Sequence, residues 1–442
     1  MTLQTPTSKT TIYLDQPPSC LQFCPASPNS LVVGTYLLSE TKSTDDDGEE
    51  IIEQKKTGSL QLWQLNPEDD GLTQLSRYAI DAAVFDLHFH PTHSEILAIA
   101  TSAGCVSLFS VSETAFTLLW SRSVHEDPSI PALFLAWTPK DWFDHRTSAT
   151  ADGSDSQSKE GNGFAVTFSD GQTSVFRLDR TDTITEREED SENEPITELG
   201  SFLVKQPIEV WFVAMDSYTS TSATTDGNGT SQSTPYLFIG DDFGTLTTRR
   251  FTDVPSTSDQ DDEETSTLPP ALLTTSDKAL HHTSGVTSIL PLQIPLSSPL
   301  TNGSPLLLTG SYDESLRLYH ATRGGDVLAE TGLGGGVWRL QVVDTKTSTS
   351  ASGESWTIIV LASCMHAGTR VVRVTVGCSG KGEGEVEAGI EVLAEFTEHE
   401  SMNYASDFWK PEDQKLGDAG SELRVVSSSF YDRRVCVWRA YV

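Results

Sequence analysis

Apolar and polar residues alternate with a period of two along most of this chain, in short runs punctuated by Gly, Asp, Ser and Pro. No helical periodicity of useful length competes, and β-branched and aromatic residues carry the alternation, so the pattern predicts strands throughout. The strands recur as a unit. An apolar strand leads through a small or acidic turn into an alternating strand, as in "LLLTGSYDESLRLYHA" from 306 and "LRVVSSSFYDRRVCVWRA" from 423. The unit appears seven times, and a third apolar segment precedes each pair, such as "VFDLHFHP" from 84 or "IEVWFVAMD" from 208.

Aligned on the last strand of the unit, the anchor positions are Trp63, Phe109, Phe176, Thr248, Tyr319, Val372 and Trp438. Their spacing runs from 46 residues (Trp63 to Phe109) to 72 (Phe176 to Thr248). Repeats of about 40–45 residues swollen by insertions fit four-stranded propeller blades of the WD-repeat type, with the outer strand supplied by the connection that follows. The expected fold is therefore all-β, one seven-bladed propeller over residues 1–442. Its blades lie near 15–75, 76–120, 121–200, 201–275, 276–332, 333–395 and 396–442. The seventh unit ends at "VCVWRAYV" without an outer strand, and "TTIYLD" at 10–15 can close it. Six residues before the anchors stand Thr57, Ala103, Asp170, Asp242, Asp313, His366 and Asp432. A turn aspartate accepts backbone N–H bonds. His281 or His282 is placed to pair with Asp313, and His399 with Asp432; His366 breaks the aspartate series.

Composition narrows the class. The hydrophobic fraction is 37%, and no apolar run reaches the roughly 18–20 residues of a bilayer span, so no membrane association is expected. The first residues resemble neither a secretory signal nor a transit peptide, which points to cytoplasm or nucleus. Six scattered cysteines lack metal-ligand spacing, and neither a metal nor a cofactor is expected. The net charge of −34 repels phosphate backbones and argues against nucleic acid as a partner. Much of the acid sits in low-complexity inserts. Inserts near 39–57, 144–162, 181–196, 217–235 and 252–278 are expected to be disordered. A closed ring gives a monomer as the default.

The chain contains no G-x-S-x-G elbow, P-loop, H-E-x-x-H or paired C-x-x-C. Reactive and aromatic residues concentrate instead in the last three units, in "TGSYDESLRL", "GGGVWRL", "SCMHAG", "HESMNYASDFW" and "SFYDRRVCVW". In order and approximate spacing this set resembles the WD-repeat diphthine methyl ester hydrolases of diphthamide biosynthesis. The earlier "LVVGTYLL", "DLHFHP", "IEVWFVAMD" and "GDDFGTL" are more loosely similar. The resemblance implies a carboxylic ester hydrolase that acts on methylated diphthine of translation elongation factor 2, releasing methanol and diphthine.

Such a substrate carries a trimethylammonium group, for which aromatic faces and acids are the expected receptor. Trp338, Tyr404, Trp409 and Tyr431, with Asp407 and Asp432, are candidates, and Tyr312, Asp313 and His399 complete the substrate-binding set. Hydrolysis needs a base or activated nucleophile and donors for the oxyanion. His366 is the preferred base with Asp407 orienting it; Ser428, Arg339 or the backbone beside Gly335 and Gly336 are candidates for the oxyanion. Each also has a purely structural alternative: Trp338 and Trp409 in blade packing, Tyr431 bracing its turn, Arg339 paired with an acid, Ser428 an ordinary strand serine. The alternative for the whole chain is a non-catalytic WD-repeat adaptor.

Overall fold

The structure is a computed structural model. It describes residues 2–44, 50–140, 142, 162–178, 196–204, 206–222, 230–251, 271–275, 282–322, 325–350, 353–378, 386–411 and 420–442. Among these there are 29 strands and no helix, arranged as seven blades in a ring.

The chain opens with β1 (Ser8–Tyr13). Blade one follows as β2 (Pro18–Cys24), β3 (Ser27–Thr35), β4 (Leu37–Thr44), β5 (Glu50–Leu65) and β6 (Leu72–Ile80). Blade two is β7 (Val84–Phe89), β8 (Ile96–Thr101), β9 (Cys105–Val111) and β10 (Phe116–Ser123). Blade three is β11 (Ala132–Trp137), β12 (Gly163–Phe168), β13 (Gln172–Leu178) and β14 (Ile196–Leu203). Blade four is β15 (Val210–Ser222), β16 (Thr230–Asp241), β17 (Leu246–Phe251) and β18 (Ala271–Thr275). Blade five is β19 (Val286–Pro291), β20 (Leu306–Ser311), β21 (Ser315–His320) and β22 (Asp326–Gly332). Blade six is β23 (Arg339–Ser350), β24 (Gly353–Ser363), β25 (Thr369–Cys378) and β26 (Val386–Phe396). Blade seven is β27 (Ala405–Phe408), β28 (Glu422–Ser429) and β29 (Arg434–Tyr441), with β1 as its outer strand.

Position in a blade explains the patterns. Second strands are pressed between neighbouring blades on both faces, so β8, β12 and β20 are buried at every residue, whereas outer strands such as β6 and β10 keep exposed positions. The glycine in "VVG", "FIG" and "LTG" has a packing reason. A Cβ on Gly310 would stand 2.5 Å from Val337 Cγ1, and one on Gly240 2.8 Å from the Val286 carbonyl, so the next blade's inner strand approaches only a bare backbone.

The ring closes as expected from "TTIYLD": Thr10, Thr11 and Ile12 pair with Val437, Cys436 and Val435. Blades one and seven are also joined by the buried Asp70, which lies 2.9 Å from Arg424 Nε and 2.7 Å from an Arg439 nitrogen.

Three inserts differ from the disorder expected of them. Residues 37–44 and 50–57 form a two-stranded arm, 217–222 and 230–235 prolong blade four as a ribbon, and 271–275 supply its outer strand. Backbone pairing orders these segments, and Tyr218 at the base of the ribbon also packs into the hydrophobic core. The remainder of the acidic and Ser/Thr-rich inserts lies outside the described residues, including nearly all of 144–162 and 181–196.

Candidate functional site

In an antiparallel blade the inner strand starts, and the second strand ends, at the same face. All seven blades therefore deliver the same two segments to one mouth of the central channel. A cavity of about 500 Å³ opens there, with lining residues from every blade, among them Ser19, Tyr36, Phe85, Leu133, Trp211, Tyr312, Trp338, Arg339, Tyr404, Phe430 and Tyr431.

A shared backbone irregularity aims several of them. The pairing of inner with second strand slips by one residue between Pro18 and Cys20, Val84 and Asp86, Ala132 and Phe134, Val210 and Phe212, and Val286 and Ser288. The skipped residues are Ser19, Phe85, Leu133, Trp211 and Thr287. Bulges re-aim side chains, and four of these five line the cavity. Trp338 and Tyr404 stand immediately before the inner strands of blades six and seven.

The aromatic residues form a continuous belt. Ring centroids are 5.1 Å apart for Trp338 and Tyr404, 5.6 Å for Trp211 and Trp338, 5.9 Å for Tyr312 and Trp338, and 5.5 Å for Tyr404 and Phe430. Tyr36 continues it, 5.8 Å from Phe430 and 5.5 Å from Phe85. Trp211 is fixed by its indole N–H, which donates to Asp242 Oδ1 at 2.7 Å. Burial raises the phenol pKa of Tyr36, Tyr312 and Tyr404, with the Asp242 charge adding to the effect at Tyr312, so these hydroxyls remain donors at neutral pH.

Arg339 ends the belt inside the channel. Its guanidinium lies 3.6 Å from Asp86, donates to the Trp338 carbonyl at 2.9 Å, and stacks 4.9 Å from the Trp338 ring and 4.8 Å from Phe134. Burial lowers the guanidinium pKa, and the Asp86 charge opposes that shift. On the far side His88 Nε2 sits 2.8 Å from Asp86. His88 and Phe134 line a second cavity of about 360 Å³, bounded by blades two, three and four with Ile289 of blade five.

Of the residues singled out from sequence, Tyr312, Trp338, Arg339, Tyr404 and Tyr431 converge here. The others do not line this cavity. His366 is on the turn between β24 and β25, with its imidazole 56% exposed and 3.9 Å from Glu314. Asp407 is buried in the wall, where Oδ2 accepts from Phe23 N–H at 2.8 Å and Oδ1 from Phe408 N–H at 2.7 Å; burial raises its carboxyl pKa. Both oxygens hold backbone in place, and Asp407 makes no contact with His366, so it does not orient that imidazole. Ser428 is fully buried and donates to the Ala405 carbonyl at 3.3 Å, which makes it a strand serine. Trp409 packs under Arg424 and donates to Asn29 at 2.8 Å.

Asp313, His399 and Asp432 brace blades. Asp313 lies 3.3 Å from His282 Nδ1 and 2.9 Å from Arg317; burial alone would raise its carboxyl, but hydrogen bonds from His282 and the Thr283 N–H hold it well below the usual range. His399 Nε2 meets Ser427 Oγ at 2.8 Å, and that oxygen also accepts from Trp438 at 3.0 Å. Asp432 accepts from the Glu400 N–H at 3.1 Å and Ser401 Oγ at 3.2 Å, so the expected direct bond to His399 is absent.

Sequence reasoning missed Tyr36, Phe85, Leu133, Trp211, Phe430 and Arg433. The signal was available. Phe85, Leu133 and Trp211 occupy the same place in three units, one residue into the inner strand.

Compared with known proteins, the chain is 26% identical over 431 residues to a protein of Schizosaccharomyces pombe named diphthine methyltransferase, covering 97% of each. No family model matches. Among solved structures, a chain of the mitotic checkpoint complex aligns with a TM-score of 0.50 at 12% identity, covering 100% of this chain and 98% of that one. Chaetomium thermophilum Sqt1, bound to the N-terminus of ribosomal protein L10, aligns with a TM-score of 0.49 at 15% identity over 98% of this chain and 100% of that one. The molecule is thus a seven-bladed WD-repeat propeller and a homologue, over nearly its whole length, of the protein so named.

Proposed function

We propose that this protein acts in diphthamide biosynthesis as an esterase that removes the methyl group from methylated diphthine on translation elongation factor 2. The observation that carries the proposal is the aromatic belt with the mostly buried guanidinium of Arg339 at its base. Packed indole and phenol faces suit a trimethylammonium group, which binds ring quadrupoles but needs no hydrogen-bond acceptor. Arg339 and the protonated phenols of Tyr312 and Tyr404 suit the oxygen that becomes negative as water adds to the ester carbonyl.

In the proposed reaction water attacks the carbonyl carbon, the C–OCH₃ bond breaks, and the water's proton passes through a base to the departing methoxide. Methanol and a carboxylic acid result, and at neutral pH the acid ionises to the carboxylate with its proton passing to solvent. Neither histidine nor carboxylate stands among the cavity's lining residues. We assign the base to His366, the exposed imidazole on the same face as the cavity, meeting the substrate at the rim.

The test is to incubate purified protein with ester-bearing elongation factor 2 in ¹⁸O-labelled water. Methanol release with one ¹⁸O in the new carboxylate supports hydrolysis. The relative's name favours a second reading, methyl transfer, which predicts a methyl group gained from an added donor and no methanol. Stable binding with neither outcome would identify an adaptor.

A further inference from the structure

Among the described residues three ribbons extend blades beyond the ring. Those of blade four (217–222 with 230–235) and blade six (344–350 with 353–358) prolong the connection between first and second strands, away from the cavity. The third, β4 with the first half of β5, replaces the tight turn found between second and third strands in the other blades. It therefore leaves from the cavity mouth.

We infer that this arm is a docking strip for an extended segment of the protein substrate, which adds as a strand to the outer edge of β4 and leads its modified side chain into the cavity. The inference rests on the function proposed above and names how the protein part of the substrate is held.

Four observations carry it. Among the described residues β4 has one sheet partner, β5, so its other edge presents backbone donors and acceptors of the kind an extended peptide pairs with. The eight cross-strand pairs, from Leu37 with Thr57 to Thr44 with Glu50, run without a bulge, and β4 contains no proline; both are devices by which edges are ordinarily blocked. The edge is continuous with the site, because Tyr36, Leu37 and Leu38 line the cavity at the root of the arm. A two-stranded ribbon exposed on both faces is marginal in water, and a third strand would stabilise it. Leu38 (43% exposed) offers an apolar contact to that strand, and Ile52 (51%), on β5 one strand further in and opposite Lys42, extends the apolar surface of the same face. Phe243 (60%) and Tyr431 (69%), on turns of the same face, extend the apolar surface around the mouth.

The test shortens the arm by replacing Thr41–Glu53 with Asn-Gly, which joins the paired Glu40 and Gln54 through a two-residue hairpin and keeps Leu37 and Leu38. Ile52→Asp is a milder second variant. Binding of purified ester-bearing elongation factor 2 is measured by calorimetry, and methanol release from that protein and from a small trimethylammonium-bearing methyl ester is measured in parallel. The shortened arm is expected to weaken protein binding by about tenfold or more, and Ile52→Asp by less, with small-ester turnover unchanged. Unchanged protein binding in both variants overturns the docking strip while leaving the esterase intact. Arm-dependent binding without turnover of either ester overturns the esterase instead. Concentration-dependent dimers that disappear with the arm would assign the edge to a second copy of this chain and overturn the inference.

Discussion

Arg339 and Asp86 come from inner strands of blades six and two and meet across the central channel, guanidinium to carboxylate at 3.6 Å. Asp86 is buried and also meets His88 Nε2 at 2.8 Å, whereas the mostly buried Arg339 has Asp86 as its carboxylate, so removing the Asp86 charge leaves that guanidinium without an anion in a largely desolvated site. Asp86→Asn is expected to cost about 3–5 kcal/mol. Asp86→Asn combined with Arg339→Met should recover most of that stability but not the activity. Urea unfolding of the three proteins at constant slope tests this; a double variant less stable than Asp86→Asn would show that the pair is not what holds the site.

Trp338 sits in the belt against three other rings, Trp211, Tyr312 and Tyr404. Trp338→Ala should raise KM for the cationic ester by about tenfold, consistent with the ~0.5–2 kcal/mol of a cation on an aromatic face. Trp338→Phe should fall between. The same variants should lose discrimination against a neutral ester in which a tert-butyl group replaces the trimethylammonium. Equal KM values for the two esters in the unmodified protein would remove the cation from the account.

The propeller was legible because blade strands repeat one pattern seven times, and closure by "TTIYLD" followed from an outer strand missing at 442. The site was half legible. Tyr312, Trp338, Arg339, Tyr404 and Tyr431 lie in motif-rich segments, whereas Phe85, Leu133 and Trp211 are ordinary apolar residues until a bulge turns them into the channel. Asp407 and Ser428 misled because an acid and a hydroxyl near the right turns look reactive, although their oxygens are committed to backbone partners that only the fold brings close. The arm was read as disordered because its strands are too polar to form a core, and cross-strand pairing does not require one.

His399 is buried on Ser427, and burial lowers its pKa from 6.5 to about 4. The unfolded chain therefore takes up a proton at this residue at higher pH than the folded one. Its contribution to stability is complete above pH 6.5 and disappears as pH falls from 6.5 towards 4. His399→Gln lowers stability at pH 7.5 by removing the bond to Ser427, but it should also flatten the acid limb by about one proton, or about 1.4 kcal/mol per pH unit. Unfolding free energies at pH 7.5, 6, 5 and 4.5 for both proteins give the difference curve; parallel curves would mean that this imidazole titrates normally in the fold.

The loop before β23 holds Trp338 and Arg339 in place through two adjacent glycines with different surroundings. A Cβ on Gly335 would lie 2.3 Å from the Cys364 carbonyl and 3.0 Å from Ala367 N, both backbone atoms of the turn that carries His366. One on Gly336 would lie 2.6 Å from Met365 Sδ, the end of a flexible thioether, and otherwise 3.5 Å from Tyr312. Backbone cannot move without shifting either the turn or the loop, whereas Met365 can change rotamer. Gly335→Ala is thus expected to cost about 1–3 kcal/mol and to lower kcat/KM, and Gly336→Ala to cost less than about 1 kcal/mol and leave activity nearly intact. Thermal unfolding and ester turnover measured side by side decide between them. Full activity in Gly335→Ala would mean that the turn and the loop need not be in register for catalysis, and would move the proposed base away from His366.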